Sequence, residues 1–163
     1  MSQVDTTLPT EQLENLRRIY KKERATMLQI LSKGIPDRYD RTFPYIGAVA
    51  SAFYPIEDRT GTMAAKDRER CLIAILGSRD AGLNLSLHFY LGLMEGLSPR
   101  EIADIIFLAG VYTGVDRMSD GLAALVATLS ILANPPKSCE VADIVGALLA
   151  AFGPPWLSPP KTK

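Results

Sequence analysis

Along most of the chain between Thr10 and Phe152 the apolar residues return every three or four positions, and every strong local signal is helical. A period near 3.6 turns one side of a helix towards a core, whereas a half-buried strand needs a period of two. The pattern therefore points to an all-α fold, a bundle of about six to seven helices. Of the 163 residues, 47% are apolar and 22% charged, which suits one globular domain with a real core. That domain is expected to span 1–152. The tail at 153–163, GPPWLSPPKTK, holds four prolines in eleven residues and reads as an extended or disordered end onto which Trp156 could fold back.

Local signals mark the helix ends. TEQLENLRRIYKKERATMLQILSKG places Leu13, Leu16, Tyr20, Met27, Ile30 and Leu31 largely on one face, with Thr10 as the expected N-cap and Gly34 and Pro36 as the stop. A shorter helix is expected at 42–54, with Pro44 in its first turn and Pro55 at its end, and IEDRTGT reads as a loop. KDRERCLIAILGSR belongs to a helix over about 64–79. LNLSLHFYLGLME belongs to one over about 83–95, which Gly96 stops. The clearest start is Ser98-Pro99-Arg100-Glu101: a capping serine, a proline at the first helical position and a glutamate that closes a capping box. That helix runs to Gly114, and two more are expected at 118–133 and 139–152.

Charge and composition exclude several function classes. Eighteen basic residues balance eighteen acidic ones, so there is no positive field to hold nucleic acid or an anionic membrane surface. The apolar runs are far shorter than the roughly 20 residues of a membrane span. The opening MSQVDTTLPTEQ lacks the basic-then-apolar pattern of a secretory signal, so a cytoplasmic location is expected. Cys71 and Cys139 stand 68 positions apart and form neither a CxxC nor a zinc spacing. Either reads as a small buried hydrophobe. No glycine-rich phosphate loop is present, and neither metal nor cofactor is called for. A small molecule is the expected partner.

The candidate chemistry gathers around the chain's one histidine, His88. Asn84 precedes it by one helical turn and Gly92 follows it by one, so imidazole, carboxamide and bare backbone share a strip of helix. A glycine mid-helix costs roughly 1 kcal/mol against alanine, which suggests that another helix or a ligand approaches closely. Glu69 shares its face with Ala65, Leu72, Ile73 and Leu76, and a carboxylate on an apolar stripe needs a partner. Lys66, Asp67, Arg68 and Arg70 fall mostly on the wet side. Tyr112 and Asp116 flank Gly114, and Asp116 is a plausible cap for the next helix. Plainer readings stand beside these: Glu69 as a half-exposed partner of an arginine, and His88 as a core histidine bonded to a backbone carbonyl.

Together the pieces resemble the carboxymuconolactone decarboxylase and alkylhydroperoxidase D-like superfamily over about 63–130. The resemblance lies in an acid within a helix (DRERCLIAIL) and, nineteen positions on, a histidine in the next (LNLSLHFYLGLMEG). A GLSPREI link and a helix ending in YTGV follow. The resemblance implies an all-α fold and a homotrimer or homohexamer with sites near subunit contacts. Its peroxidase branch carries Cys-x-x-Cys-x-x-x-His, and the two cysteine positions are Ala81 and Asn84 here. Without those sulfurs, dithiol chemistry cannot run. Its decarboxylase branch uses the histidine for acid/base work on a carboxylated lactone, with an acid one turn earlier and a proline after Tyr-x-Gly-Val. Those positions are Asn84 and Asp116 here. The expectation is cofactor-free acid/base chemistry, a decarboxylation or isomerisation, with His88, Glu69 and Asn84 as catalytic residues. Tyr112, Ala81 and Gly92 are expected to line the substrate. The alternative is a relative of the peroxidases that lacks the dithiol and serves as a ligand-binding oligomer without redox chemistry.

Overall fold

The segment Leu83–Met94 is apolar nearly all round, and such a helix is stable only inside a bundle. The computed structural model places it there. The model describes residues 8–33, 63–79 and 82–153, with side chains excluded from 28 to 33. Six helices are described: α1 (Thr10–Lys33), α2 (Ala65–Gly77), α3 (Leu83–Met94), α4 (Pro99–Thr113), α5 (Val115–Ala133) and α6 (Val141–Phe152). The described residues contain no strand, and the other five helices all pack against α3. The all-α expectation holds. The helix expected at 42–54, the IEDRTGT loop, Ile30 and Leu31, Ala81 and nearly all of the tail lie outside the described residues or side chains.

Ten of the twelve α3 residues are buried, and the two with residual exposure are Asn84 and His88. Leu13, Leu16, Tyr20 and Met27 of α1 are buried as their spacing requires. Tyr20 meets Tyr90 of α3 edge to face, with ring centroids 6.1 Å apart, a favoured aromatic geometry. Burial pushes the Tyr20 phenol well above the usual tyrosine range, and Glu95, which accepts its proton at 3.3 Å, pushes the same way.

Several helix ends are closed from a distance. Arg17 of α1 donates from Nε to the Leu93 carbonyl at 2.9 Å and from Nη2 to the Leu97 carbonyl at 3.0 Å. A cation thereby sits on the negative end of α3. Glu23 has non-helical backbone angles that kink α1, and its carboxylate accepts the Val141 N–H at 2.9 Å. It caps α6, whose own N-cap, Glu140, makes no side-chain cap. Two expected caps shift. Thr10 is already the first helical residue, and the Pro9 carbonyl accepts from Leu13 N–H. Asp116 lies in the first turn of α5, because Gly114, at φ 111°, reverses the chain in a single residue.

The capping box is formed as expected: Ser98 Oγ accepts from Glu101 N–H at 3.1 Å, and Glu101 Oε2 accepts from Ser98 N–H at 2.8 Å. That backbone donor, followed by Arg70 at 2.8 Å, lowers the Glu101 pKa to about 2. A depressed carboxylate stabilises the fold fully above its unfolded pKa, and the contribution is lost as pH falls towards the folded value. Glu101 is partly exposed, so we expect about 1 kcal/mol, lost between about pH 4.5 and 2. The Tm decrease from pH 5 to pH 2.5 should be roughly 2–4 °C smaller in Glu101→Gln than in wild type. Equal decreases would show that Glu101 carries none of the acid sensitivity.

Candidate functional site

Glu69, Ile73 and Gly77 recur every four residues along α2 and form its buried face. Gly92 of α3 lies opposite. A Cβ there would fall 2.9 Å from Leu97 Cδ1, 3.0 Å from Ile73 Cδ1 and 3.8 Å from Glu69 Cβ. The missing side chain lets α2 close on α3, so what approaches Gly92 is a helix. That close approach carries Glu69, with 0% exposure, to His88: Oε2 lies 2.8 Å from Nδ1.

A carboxylate can only accept, so this contact assigns the neutral imidazole's proton to Nδ1 and leaves Nε2 with a free lone pair. The second carboxylate oxygen, Oε1, lies 3.9 Å from Arg68 Nε. A buried carboxylate is costly unless its charge is matched, and here each oxygen has a cationic or polar neighbour. Glu69 is thus neither half-exposed nor paired with an arginine alone, and His88 bonds a side-chain carboxylate, where a core histidine would use a backbone carbonyl. The imidazole keeps 20% of its side-chain surface in solvent. It shares the one wet strip of α3 with the exposed Asn84.

The other candidates are placed differently. Tyr112 is 84% exposed on the outer side of α4, whose inner side is Ile102, Ile106 and Gly110. Ala81 lies outside the described residues. Cys71 is exposed on α2 and so is not the buried hydrophobe its type suggested. Cys139 is half-buried and accepts from Gln12 Nε2 at 3.3 Å. Both thiols are free. Among the described residues, no group of three His, Cys, Asp or Glu side chains is placed to hold a metal ion, and no helix is long and apolar enough to cross a membrane.

Sequence reasoning assigned Arg68 to the wet side, and the structure corrects this: its side chain is only 15% exposed. Its position next to Glu69 puts it at the edge of the apolar stripe, where a long stem lies along the core boundary. Arg79, past the end of α2, and Arg117, in the first turn of α5, are both exposed.

Glu69→Gln keeps the shape but removes the charge that Arg68 and His88 face. We expect a loss of about 2 kcal/mol, hence a Tm lower by roughly 4–8 °C. An unchanged melting curve would mean that the buried charge is not what joins α2 to α3.

A model of the carboxymuconolactone decarboxylase family matches residues 48–127, the stretch that carries Glu69, His88 and the capped start of α4. No curated protein and no solved structure matches the chain.

Proposed function

The chain belongs to the carboxymuconolactone decarboxylase-like superfamily, and on that premise we propose that it performs cofactor-free acid/base chemistry on a small carboxylated or lactone substrate. The observation that carries this reading is the 2.8 Å contact between His88 Nδ1 and a fully buried Glu69. The carboxylate at Nδ1 fixes the ring and leaves Nε2 as the nitrogen that exchanges a proton with the substrate.

In a decarboxylation, the bond between the substrate carbon and its carboxylate breaks. CO₂ leaves, and the electron pair enters the conjugated system as a dienolate. The His88 imidazolium donates its Nε2 proton to the dienolate, and the resulting imidazole recovers a proton from solvent. Asn84 supplies an N–H to the oxygen on which charge accumulates. Glu69 holds the ring in register, and Arg68 supports the charge on Glu69. A double-bond shift uses the same groups, with Nε2 first removing a proton and then returning it. The site works within a homo-oligomer in the cytoplasm.

The test is release of CO₂ from 4-carboxymuconolactone, followed together with ultraviolet absorbance, and with proton NMR in D₂O for double-bond migration or lactone opening. Turnover in any channel supports the reading. No turnover in all of them overturns it and leaves the ligand-binding oligomer.

A further inference from the structure

Glu69 and Arg68 make a balanced pair of charges beside the imidazole. The carboxylate is fully buried, and the guanidinium, 15% exposed, lies 3.9 Å from its Oε1. His88 Nδ1 lies 2.8 Å from Oε2. With an uncharged ring the three groups sum to zero, and with an imidazolium they carry one positive charge in excess.

The other charged groups packed around α3 are engaged elsewhere. On α2, Lys66 and Arg70 pair with Glu101 of α4, and Arg70 also pairs with Asp67. From α1, Arg17 is held by the Leu93 and Leu97 carbonyls. Arg24 lies 3.6 Å from Glu95, which also accepts from Tyr20. Glu95 falls on the strip of α3 that carries Asn84 and His88, seven residues after the imidazole and about 10 Å along the helix. Burial pushes the Tyr20 and Tyr90 phenols up, so both stay uncharged. Among the described residues, those that α4, α5 and α6 bury carry no charge.

A substrate carboxylate at Nε2 therefore brings a negative charge into a set that is already balanced. An unmatched anion in a half-buried site is costly, and one within hydrogen-bond reach of an imidazole favours the charged ring. An imidazole is also the side chain that changes charge near neutral pH. We propose that the site binds a small monocarboxylate together with a proton, which His88 takes up at Nε2, and that Arg68 sets this requirement by cancelling the charge of Glu69.

The proposal rests on the acid/base reading for its ligand class. The proton comes from solvent, forms an N–H bond at Nε2 and leaves an imidazolium facing two carboxylates, Glu69 at Nδ1 and the ligand at Nε2. The substrate thereby loads the acid that its own conversion consumes. Arg68 is a positioning residue that acts through Glu69. Without its charge, Glu69 alone would favour the imidazolium, and the arriving ligand would add less.

Isothermal titration calorimetry of the full chain with tetrahydro-5-oxofuran-2-carboxylate tests this. That saturated lactone acid has no conjugated system to receive the electrons of a departing CO₂, so it binds without reacting. Titrations at pH 7.5 in HEPES and in Tris, whose ionisation enthalpies differ, give the protons taken up per site. Wild type should take up about 0.4 proton or more, and its affinity should fall about three- to tenfold from pH 7 to 8.5. The uncharged methyl ester should bring no proton. His88→Gln should abolish the uptake, Arg68→Gln should at least halve it, and Arg68→Lys should retain it. Uptake below the expected value, equal uptake with the ester, unchanged uptake in either glutamine variant, or no binding at millimolar acid would overturn the proposal. The two readings fail separately. Proton-coupled binding without turnover of 4-carboxymuconolactone would leave this one standing, and turnover with no proton uptake on binding would leave only the acid/base reading.

Discussion

His88→Gln is expected to lower turnover by about 10²–10⁴-fold, with far-ultraviolet circular dichroism and subunit mass unchanged. Glutamine fits the half-exposed site and can hydrogen-bond Glu69, but it cannot exchange a proton at neutral pH. The variant therefore removes the chemistry and keeps the packing. The size of the effect follows from the lack of a substitute, because the chain has no second histidine. The neighbouring Asn84 is a hydrogen-bond donor and no acid. A residual rate within about threefold of wild type would mean that the imidazole only packs. kcat/KM for wild type and variant, measured on any substrate found to turn over, decides this.

Gly110→Ala should be the most damaging small substitution in the helical core. An added Cβ at Gly110 meets Met118 Cβ, Cγ and Cα, so relief requires α5 backbone to move away from α4. Overpacking against backbone cannot be relieved by a rotamer change, and we expect a loss of about 3 kcal/mol, or roughly 6–12 °C in Tm. Gly146 serves as an internal control. It lies mid-helix in α6, is exposed, and a Cβ there meets nothing within 4 Å. Gly146→Ala should stabilise by about 0.5–1 kcal/mol through helix propensity. If the two variants shifted Tm in the same direction, the close approach of α4 and α5 would not be as described.

Most helix ends could be read because they are set by local chemistry. Ser98, Pro99 and Glu101 form a capping box whatever surrounds them, and Gly96 takes φ 98° at the end of α3. The ends that moved were those settled by distant groups or by backbone freedom. Gly114 turns so tightly that α5 begins at Val115, about three residues before the polar segment suggested. Arg17 and Glu23 close helices that lie 76 and 118 residues further along the chain, and nothing local to Leu93 or Val141 announces them.

The candidate site divides the same way. Spacing on one face placed Glu69 against the core and put His88 and Asn84 on one strip. The 2.8 Å contact between Glu69 and His88 needs α2 and α3 to approach closely, which Gly92 permits. That approach is a pairing of two helices, and periodicity within either one does not contain it. Arg68 was missed because a helical wheel records direction and not the reach of a long side chain. The outer placement of Tyr112 was missed because EIADIIFLAGVYTG is apolar on both faces, and the inner face alone accounts for its burial.

The central claim is that Glu69 holds the only imidazole in one orientation with Nε2 free to exchange protons. Because the chain has a single histidine, one pair of ring nitrogen signals reports it without assignment by mutation. Nitrogen-15 NMR of the imidazole, recorded where the ring is neutral, should show the proton on Nδ1 and an unprotonated Nε2, with that preference lost in Glu69→Gln. A proton resident on Nε2 in wild type, as in an unconstrained imidazole, would contradict the account.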